Sequence, residues 1–346
     1  MKIASLQRRS IRGLKPYDPG LLADYRFKLD ANENGFDVTK AARKKLLREM
    51  AKINFNRYPD PGTLDIRKAL AKKNGVRVEN VVIGNGSDEL IHYIIQAFTD
   101  EGDRVVFPSP TFEMYKILAM ANSAVPVASE LDGRFDIDVK DILEKARGAK
   151  IIFFAYPNNP TGNCFTQRKM EAVIKKAKCL VVVDEAYFEF SKKTFINLLT
   201  RHKNLIILRT FSKAYSMASA RLGCLFAGRE VTDVINKIRL PYNVNALSQA
   251  CARVMLKENT EAAVKTILGE KEIMYGLLKD VYPVVKSDAN FLLIKVNDGA
   301  RAKKYFEKNG ISVRLFKDGI LKDFLRLTIG RPEENRAALK ILQRGV

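Results

Sequence analysis

RTFSKAYSMASARLG, residues 209–223, holds one lysine among small and aromatic residues. Thr210 and Ser212 stand just before Lys213, and Arg221 follows it eight positions on. The run leading into it, NLIILRT (204–210), is apolar without alternation, as expected of a strand covered on both faces. A lysine in an apolar pocket at the end of such a strand has its ammonium form disfavoured. Its amine is then a usable nucleophile, and lysine amines form Schiff bases with aldehydes.

Runs of the same kind recur upstream and just downstream. They are NVVIG (80–84), RVVFP (104–108), IIFFAY (151–156), CLVVVDEA (179–186) and RLGCLFAG (221–228), with AVPVAS (124–129) extended. Segments with helical spacing lie between them, at 41–53, 64–75, 87–100, 111–123, 139–148 and 166–178. Strand and helix in alternation predict an α/β fold with a mostly parallel sheet and helical crossovers. From about 245 the pattern changes. A helical region over 246–280 precedes NFLLIKV (290–296), a helix over 299–309, ISVRLF (311–316), FLRLTIG (324–330) and a last helix. This predicts a smaller α+β domain.

Three further strand-end loops carry unusual residues. GNGSDEL (84–90) puts glycines, then Ser87 and Asp88, at the start of a helix, where free N–H groups favour an anion. PNNPTG (157–162) is a rigid turn that projects Asn158 or Asn159 beyond a strand's carboxyl end, where open α/β sheets bind ligands. VVVDEAY (181–187) sets Asp184 after an apolar run, with Tyr187 three residues on; a carboxylate buried there needs a charged partner or donors. Taken singly, the first loop reads as a plain turn and the third as a helix cap. Taken together, an aldehyde cofactor with a phosphate would use the anion site, Ser212 and Arg221, and a pyridine nitrogen would use Asp184. The four loops point to pyridoxal phosphate.

Composition narrows the alternatives. The chain has 346 residues, 47% of them hydrophobic, which suits a globular protein with one large or two smaller cores. No apolar run is long enough for a membrane span, and the N-terminus lacks the apolar segment of a secretory signal, so a cytoplasmic protein is expected. With 60 basic and 39 acidic residues the formal charge is +21, a balance that suits anionic ligands or nucleic acid. The cations are spread in pairs such as Lys44-Lys45 and Lys192-Lys193, which reads as a charged surface rather than a nucleic-acid arm. Two histidines and four cysteines without a CxxC pair disfavour histidine metal sites and hydrolase triads, and no metal is expected.

The set of motifs resembles the fold-type I pyridoxal-phosphate aminotransferases, and more closely the histidinol-phosphate aminotransferases. It runs in order from LKPYDPG, LDANENG and NRYPDP through GNGSDE, SPTFEMY, PNNPTG and VVDEAYFEF to RTFSKA, LPYNV, ANFLL and LRLTIGRPEEN. The resemblance implies a large domain (54–245) with a mostly parallel sheet, a small domain (31–53 with 246–346), an N-terminal arm (1–30) and a homodimer. It implies Lys213 as the Schiff-base lysine, Asp184 at the pyridinium nitrogen, and Tyr187 and Asn159 at the ring hydroxyl. Phe112 would stack on the ring, and Ser87, Asp88, Ser212 and Arg221 would hold the phosphate. Tyr58 would reach the cofactor phosphate of the neighbouring subunit. Tyr17, Arg314 and Arg326 would face the substrate's phosphate. The stacking residue is Phe112 where the family often has tyrosine, and Ala218-Ser219-Ala220-Arg221 stands where it often has Ala-Gly-Leu-Arg. The implied reaction is transamination between L-histidinol phosphate and 2-oxoglutarate in histidine biosynthesis. The alternatives are an aromatic or other small-molecule aminotransferase, a phospho-amino-acid decarboxylase of the same fold, or, less favoured, a nucleic-acid-binding protein.

Overall fold

A computed structural model describes residues 3–16 and 25–345. Tyr17, expected at the substrate, lies outside the described residues. The strands in chain order are β1 (Phe27–Lys28), β2 (Val81–Asn85), β3 (Arg104–Ser109), β4 (Val125–Glu130), β5 (Ile151–Ala155), β6 (Leu180–Asp184), β7 (Leu205–Thr210) and β8 (Leu222–Ala227), then β9 (Val284–Val285), β10 (Phe291–Lys295), β11 (Ile311–Ser312), β12 (Arg314–Phe316) and β13 (Phe324–Thr328). The helices are α1 (Lys40–Met50), α2 (Leu64–Asn74), α3 (Ser87–Phe98), α4 (Met114–Ala121), α5 (Val139–Lys145), α6 (Gln167–Lys176), α7 (Phe188–Ser191), α8 (Arg229–Ile238), α9 (Ala246–Met255), α10 (Glu261–Leu278), α11 (Gly299–Lys308) and α12 (Pro332–Leu342).

Seven strands form the main sheet in the order β2-β8-β7-β6-β5-β3-β4. All but β8 run the same way; β8 is antiparallel to both its neighbours. The reason lies in the opening stretch. Residues 211–221, which join β7 to β8, are too few for a helical crossover, so the chain turns straight back. That turn returns Arg221 to the strand end that carries Lys213. It also sets Gly223 opposite Gly84, next to the β2–α3 loop. The loops after β2, β3, β5, β6 and β7 therefore open on one edge of the sheet. Side chains of β5 and β7 from Ile151 to Phe154 and Leu205 to Leu208 are fully buried, because helices cover both faces.

The second body is a four-stranded antiparallel sheet, β12-β13-β10-β9, with β1 and β11 paired parallel beside it. Its core gathers Phe27, Leu29, Phe291, Phe306 and Leu327. Three expectations need correction here. ISVRLF is not one strand: residues 311–312 pair with β1 while 314–316 pair with β13, so it splits at Val313 to serve two partners. The helical region 246–280 breaks at Lys257-Glu-Asn-Thr260, where Asn259 Oδ1 accepts the Glu261 amide at 2.7 Å in a turn just ahead of α10. The expected small-domain segments 31–53 and 246–346 are not one body. Ala42 and Leu46 of α1 and Cys251, Val254 and Met255 of α9 pack into the larger core. Likewise Phe27 of the expected arm belongs to the smaller one. No helix among the described residues is long and apolar enough to cross a membrane.

Candidate active site

The two bodies enclose a cavity of about 640 Å³ at the loop-bearing edge of the sheet. Lys213, Asp184, Tyr187, Asn159, Phe112, Ser87, Asp88, Ser212, Arg221, Arg314 and Arg326 all line it. Tyr58 does not. It is 80% exposed and stacks on Tyr242, ring centres 4.4 Å apart and 15° from parallel, on the outer surface.

Lys213 follows the end of β7 and reaches into the cavity, where Nζ donates to the Ala31 carbonyl at 2.8 Å. Its pKa is pushed down to about 8, first by burial and then by the Arg326 guanidinium. An amine that is part-neutral near pH 8 is a base and nucleophile at working pH.

Asp184 is buried at the end of β6. Tyr115 donates to its Oδ2 at 3.0 Å and the Ala186 amide to its Oδ1 at 3.2 Å. Burial dominates and pushes the carboxyl up to about 7, against the pull of the Tyr115 bond. Such a group gains from a cationic N–H placed before it. The next residue, Glu185, serves the opposite side of the sheet. Arg209 Nη2 and Nε hold its Oε2 at 2.8 and 3.0 Å, and the Phe195 amide donates to Oε1 at 2.8 Å. Strand alternation thus separates a structural acid from a cavity acid.

At the start of α3 the chain makes an anion cradle. Gly86 has φ +81°, and a Cβ there would stand 2.5 Å from Arg221 Nη2. A Cβ on Gly223 would run into the Ser87 amide nitrogen. Both glycines let backbone and guanidinium approach each other closely. Arg221, itself left-handed at φ +50°, donates through Nη2 to Asp88 Oδ2 at 3.0 Å. The Asp88 carboxylate is therefore engaged by Arg221. Thr210 Oγ1 donates to Ser212 Oγ at 3.1 Å, which fixes that hydroxyl beside the cradle.

The asparagine pair divides its work. Asn158 is fully buried, with Oδ1 accepting from Thr111 at 2.7 Å and Nδ2 donating to the Pro110 carbonyl at 3.0 Å, so it holds the turn. Asn159 lines the cavity, and its Oδ1 accepts from Arg326 Nη1 at 2.6 Å. Arg326 Nη2 donates to the Asp30 carbonyl, and its guanidinium lies 5.6 Å over the Phe291 ring. Arg314 and Arg326 are direct cross-strand partners on β12 and β13, so both cations reach one end of the cavity.

Sequence reading passed over two residues. Asn32 stands in the quoted ANENG motif with φ +54°, a conformation asparagine tolerates, and its Nδ2 donates to the Tyr187 hydroxyl at 2.8 Å. Tyr115 lies three residues after Phe112 in an apolar helix, where a core role is the natural reading.

These side chains fit pyridoxal phosphate. The glycine-lined cradle suits a phosphate, the buried Asp184 suits a protonated ring nitrogen, and Lys213 lines the same cavity. The sequence model of the family "Aminotransferase class I and II" matches residues 26–342. The chain belongs to the class I and II aminotransferases. It is 38% identical over 336 residues to the histidinol-phosphate aminotransferase of Thermococcus gammatolerans, covering 96% of this chain and 95% of that one. It is 39% identical over 337 residues to that of Pyrococcus furiosus, covering 96% of each. Among solved structures, the Sinorhizobium meliloti histidinol-phosphate aminotransferase in complex with pyridoxal-5'-phosphate superposes with a TM-score of 0.89 at 22% identity over 98% of both chains. An L-threonine-O-3-phosphate decarboxylase from Porphyromonas gingivalis gives 0.78 at 22% identity, over 92% of this chain and 98% of that one, so the fold alone is shared across these chemistries.

Proposed function

We propose that this aminotransferase uses pyridoxal phosphate to move the amino group of L-histidinol phosphate to 2-oxoglutarate, giving imidazole acetol phosphate and glutamate, a step of histidine biosynthesis. The observation that carries the reading is the pairing of Arg314 with Arg326 across one cavity from Lys213. Two guanidinium groups lining the same cavity as the reacting amine suit a phosphate dianion, and later a carboxylate of the acceptor. Relatives of 38–39% identity over nearly the whole chain carry the histidinol-phosphate aminotransferase name.

Pyridoxal phosphate, when bound, supplies an aldehyde that takes an amino group and a protonated ring that accepts the electron pair of a departing Cα proton. The residues around it have separable tasks. The Ser87 and Asp88 amides, Ser212 and Arg221 anchor the phosphate. Asp184 holds a proton at the ring nitrogen. Asn159 and Tyr187 face the ring hydroxyl, Tyr187 being fixed by Asn32. Phe112 covers a ring face. Lys213 carries the cofactor at rest, and its amine takes a proton from the substrate carbon and returns one. Its lowered pKa keeps a neutral fraction available for this at pH 7–8.

The active species in this reading is a cytoplasmic homodimer. Phe55, Tyr58, Leu240 and Tyr242 are each exposed, and Tyr58 stacks on Tyr242, which suits burial against a second copy and delivery of Tyr58 to the neighbour's phosphate cradle. The four unpaired cysteines suit a reducing compartment.

The test is a panel of donors mixed with cofactor-loaded protein while the cofactor spectrum is followed. Histidinol phosphate should react far faster than histidinol, histidine or phenylalanine. Preference for phenylalanine would overturn the substrate assignment, and release of carbon dioxide from a phospho-amino acid would make the protein a decarboxylase.

A further inference from the structure

Tyr115 is the buried polar side chain at this site to which the reading above gives no task. It is fully buried on α4. Its ring stacks on Phe153 of β5, centres 4.7 Å apart and 11° from parallel. Its edge meets Phe112, 5.6 Å away at 88°. A phenylalanine would fill the same space without placing a hydroxyl in an apolar layer, where an unpaired one is costly. The hydroxyl does have a partner, Asp184 Oδ2 at 3.0 Å.

We propose that Tyr115 is the positioning residue of the site: its hydroxyl fixes the Asp184 carboxylate against the cavity, and its ring backs Phe112. This rests on the reading of Asp184 as the partner of the cofactor's ring nitrogen. The carboxylate has one bond on each oxygen, from Tyr115 and from the Ala186 amide. Two bonds on opposite oxygens set its rotation; one longer backbone bond does not. Asp88 from α3, Glu185 beside it and Tyr187 near the phenol disfavour further negative charge on the pair, while Lys213 and Arg221, the latter bonded to Asp88, are cations lining the same cavity. The ionised carboxylate therefore depends on its hydrogen bonds, of which the phenol supplies the shorter. The same side chain touches Phe112, so the ring-stacking residue and the ring-nitrogen acid share one support.

The experiment follows the Asp184 carboxyl stretch of the full-length, cofactor-free chain by infrared titration, with Asp184→Asn identifying the band. Tyr115→Phe should raise the midpoint by about one pH unit, the size expected for losing a hydrogen bond to a charged group. Site-directed replacement of Tyr115 by 3-fluorotyrosine keeps the shape, strengthens the donor and should lower the midpoint. Phe153→Leu loosens the stack without touching the hydroxyl; it should lower the melting temperature and leave the midpoint in place. Pyridoxal phosphate affinity at pH 7 should fall about fivefold in Tyr115→Phe, because raising a midpoint near 7 by one unit cuts the ionised fraction from about one half to about one tenth. Coincident midpoints for wild type, Tyr115→Phe and the fluorinated protein would overturn the proposal, as would a shift in Phe153→Leu equal to that in Tyr115→Phe. Failure of wild type to bind pyridoxal phosphate would instead sink the cofactor reading, and the infrared titration would still decide the role of Tyr115.

Discussion

Replacing Lys213 by methionine should stabilise the cofactor-free protein at neutral pH. The side chain sits at the end of a fully buried strand, and burial, then Arg326, outweigh the opposing pull of Glu33 and Asp88 to bring its pKa from 10.5 to about 8. At about 1.4 kcal/mol per pH unit, that drop corresponds to about 3 kcal/mol of destabilisation while the amine is protonated. Between about pH 8 and 10.5 the unfolded chain holds the extra proton, so stability rises with pH through that window. The contribution is fully present above 10.5 and lost as pH falls through 8. Methionine fills the space without the charge, at the loss of the Nζ bond to the Ala31 carbonyl, about 1 kcal/mol. The net gain should be about 2 kcal/mol at pH 7. Above pH 10.5 it should vanish or reverse. Urea unfolding of the two cofactor-free proteins at pH 7 and pH 10.5 measures it. If Lys213→Met is less stable by the same margin at both values, the ammonium is not disfavoured, and the physical basis for a reactive amine falls with it.

Asp184 makes the mirror-image prediction. Its carboxyl is raised from 3.8 to about 7, so the folded protein holds more protons over that range and stability falls as pH rises through it. Asp184→Asn should gain up to about 4 kcal/mol in the cofactor-free protein at pH 8 and lose cofactor affinity, read by chemical unfolding and equilibrium dialysis. Arg326→Ala should cut kcat/KM for histidinol phosphate by about 10²–10³-fold, the cost of truncating one partner of a hydrogen-bonded charge pair, and change the rate with unphosphorylated amines little. Equal losses on both would assign Arg326 to the acceptor's carboxylate alone. Tyr58→Phe should weaken cofactor retention in a dimer by about 1.5–3 kcal/mol, measured by dialysis; full activity of a monomer by sedimentation at micromolar protein would remove that role.

The larger body was legible because its strands are buried on both faces. IIFFAY and NLIILRT carry no alternation to misread, and the loops after them hold residues no turn requires. Lys213, Asp184 and Arg221 stood out against that background. What stayed hidden depended on partners far away in the chain. The reversal of β8 follows from the short connection at 211–221, but the apolar run RLGCLFAG has no direction in it. ISVRLF splits because β1 and β13 compete for it. The helical periods of α1 and α9 show that a face is buried, and nothing in them says which core receives it. Asn158 and Asn159 are interchangeable in sequence; only the folded turn sends one inward to Thr111 and the other to the cavity. Tyr115 reads as core in an apolar helix, and its hydroxyl gains meaning only when β6 brings Asp184 to it.

The account stands most directly on Lys213 as the residue that carries the cofactor. Borohydride reduction of the protein loaded with pyridoxal phosphate, followed by proteolysis and mass spectrometry, reads this in one measurement. The account predicts a single stoichiometric phosphopyridoxyl adduct on the peptide containing Thr210–Ser216, at Lys213, and none in Lys213→Met. An adduct on another lysine, or the same adduct yield in the Lys213→Met protein, would contradict it.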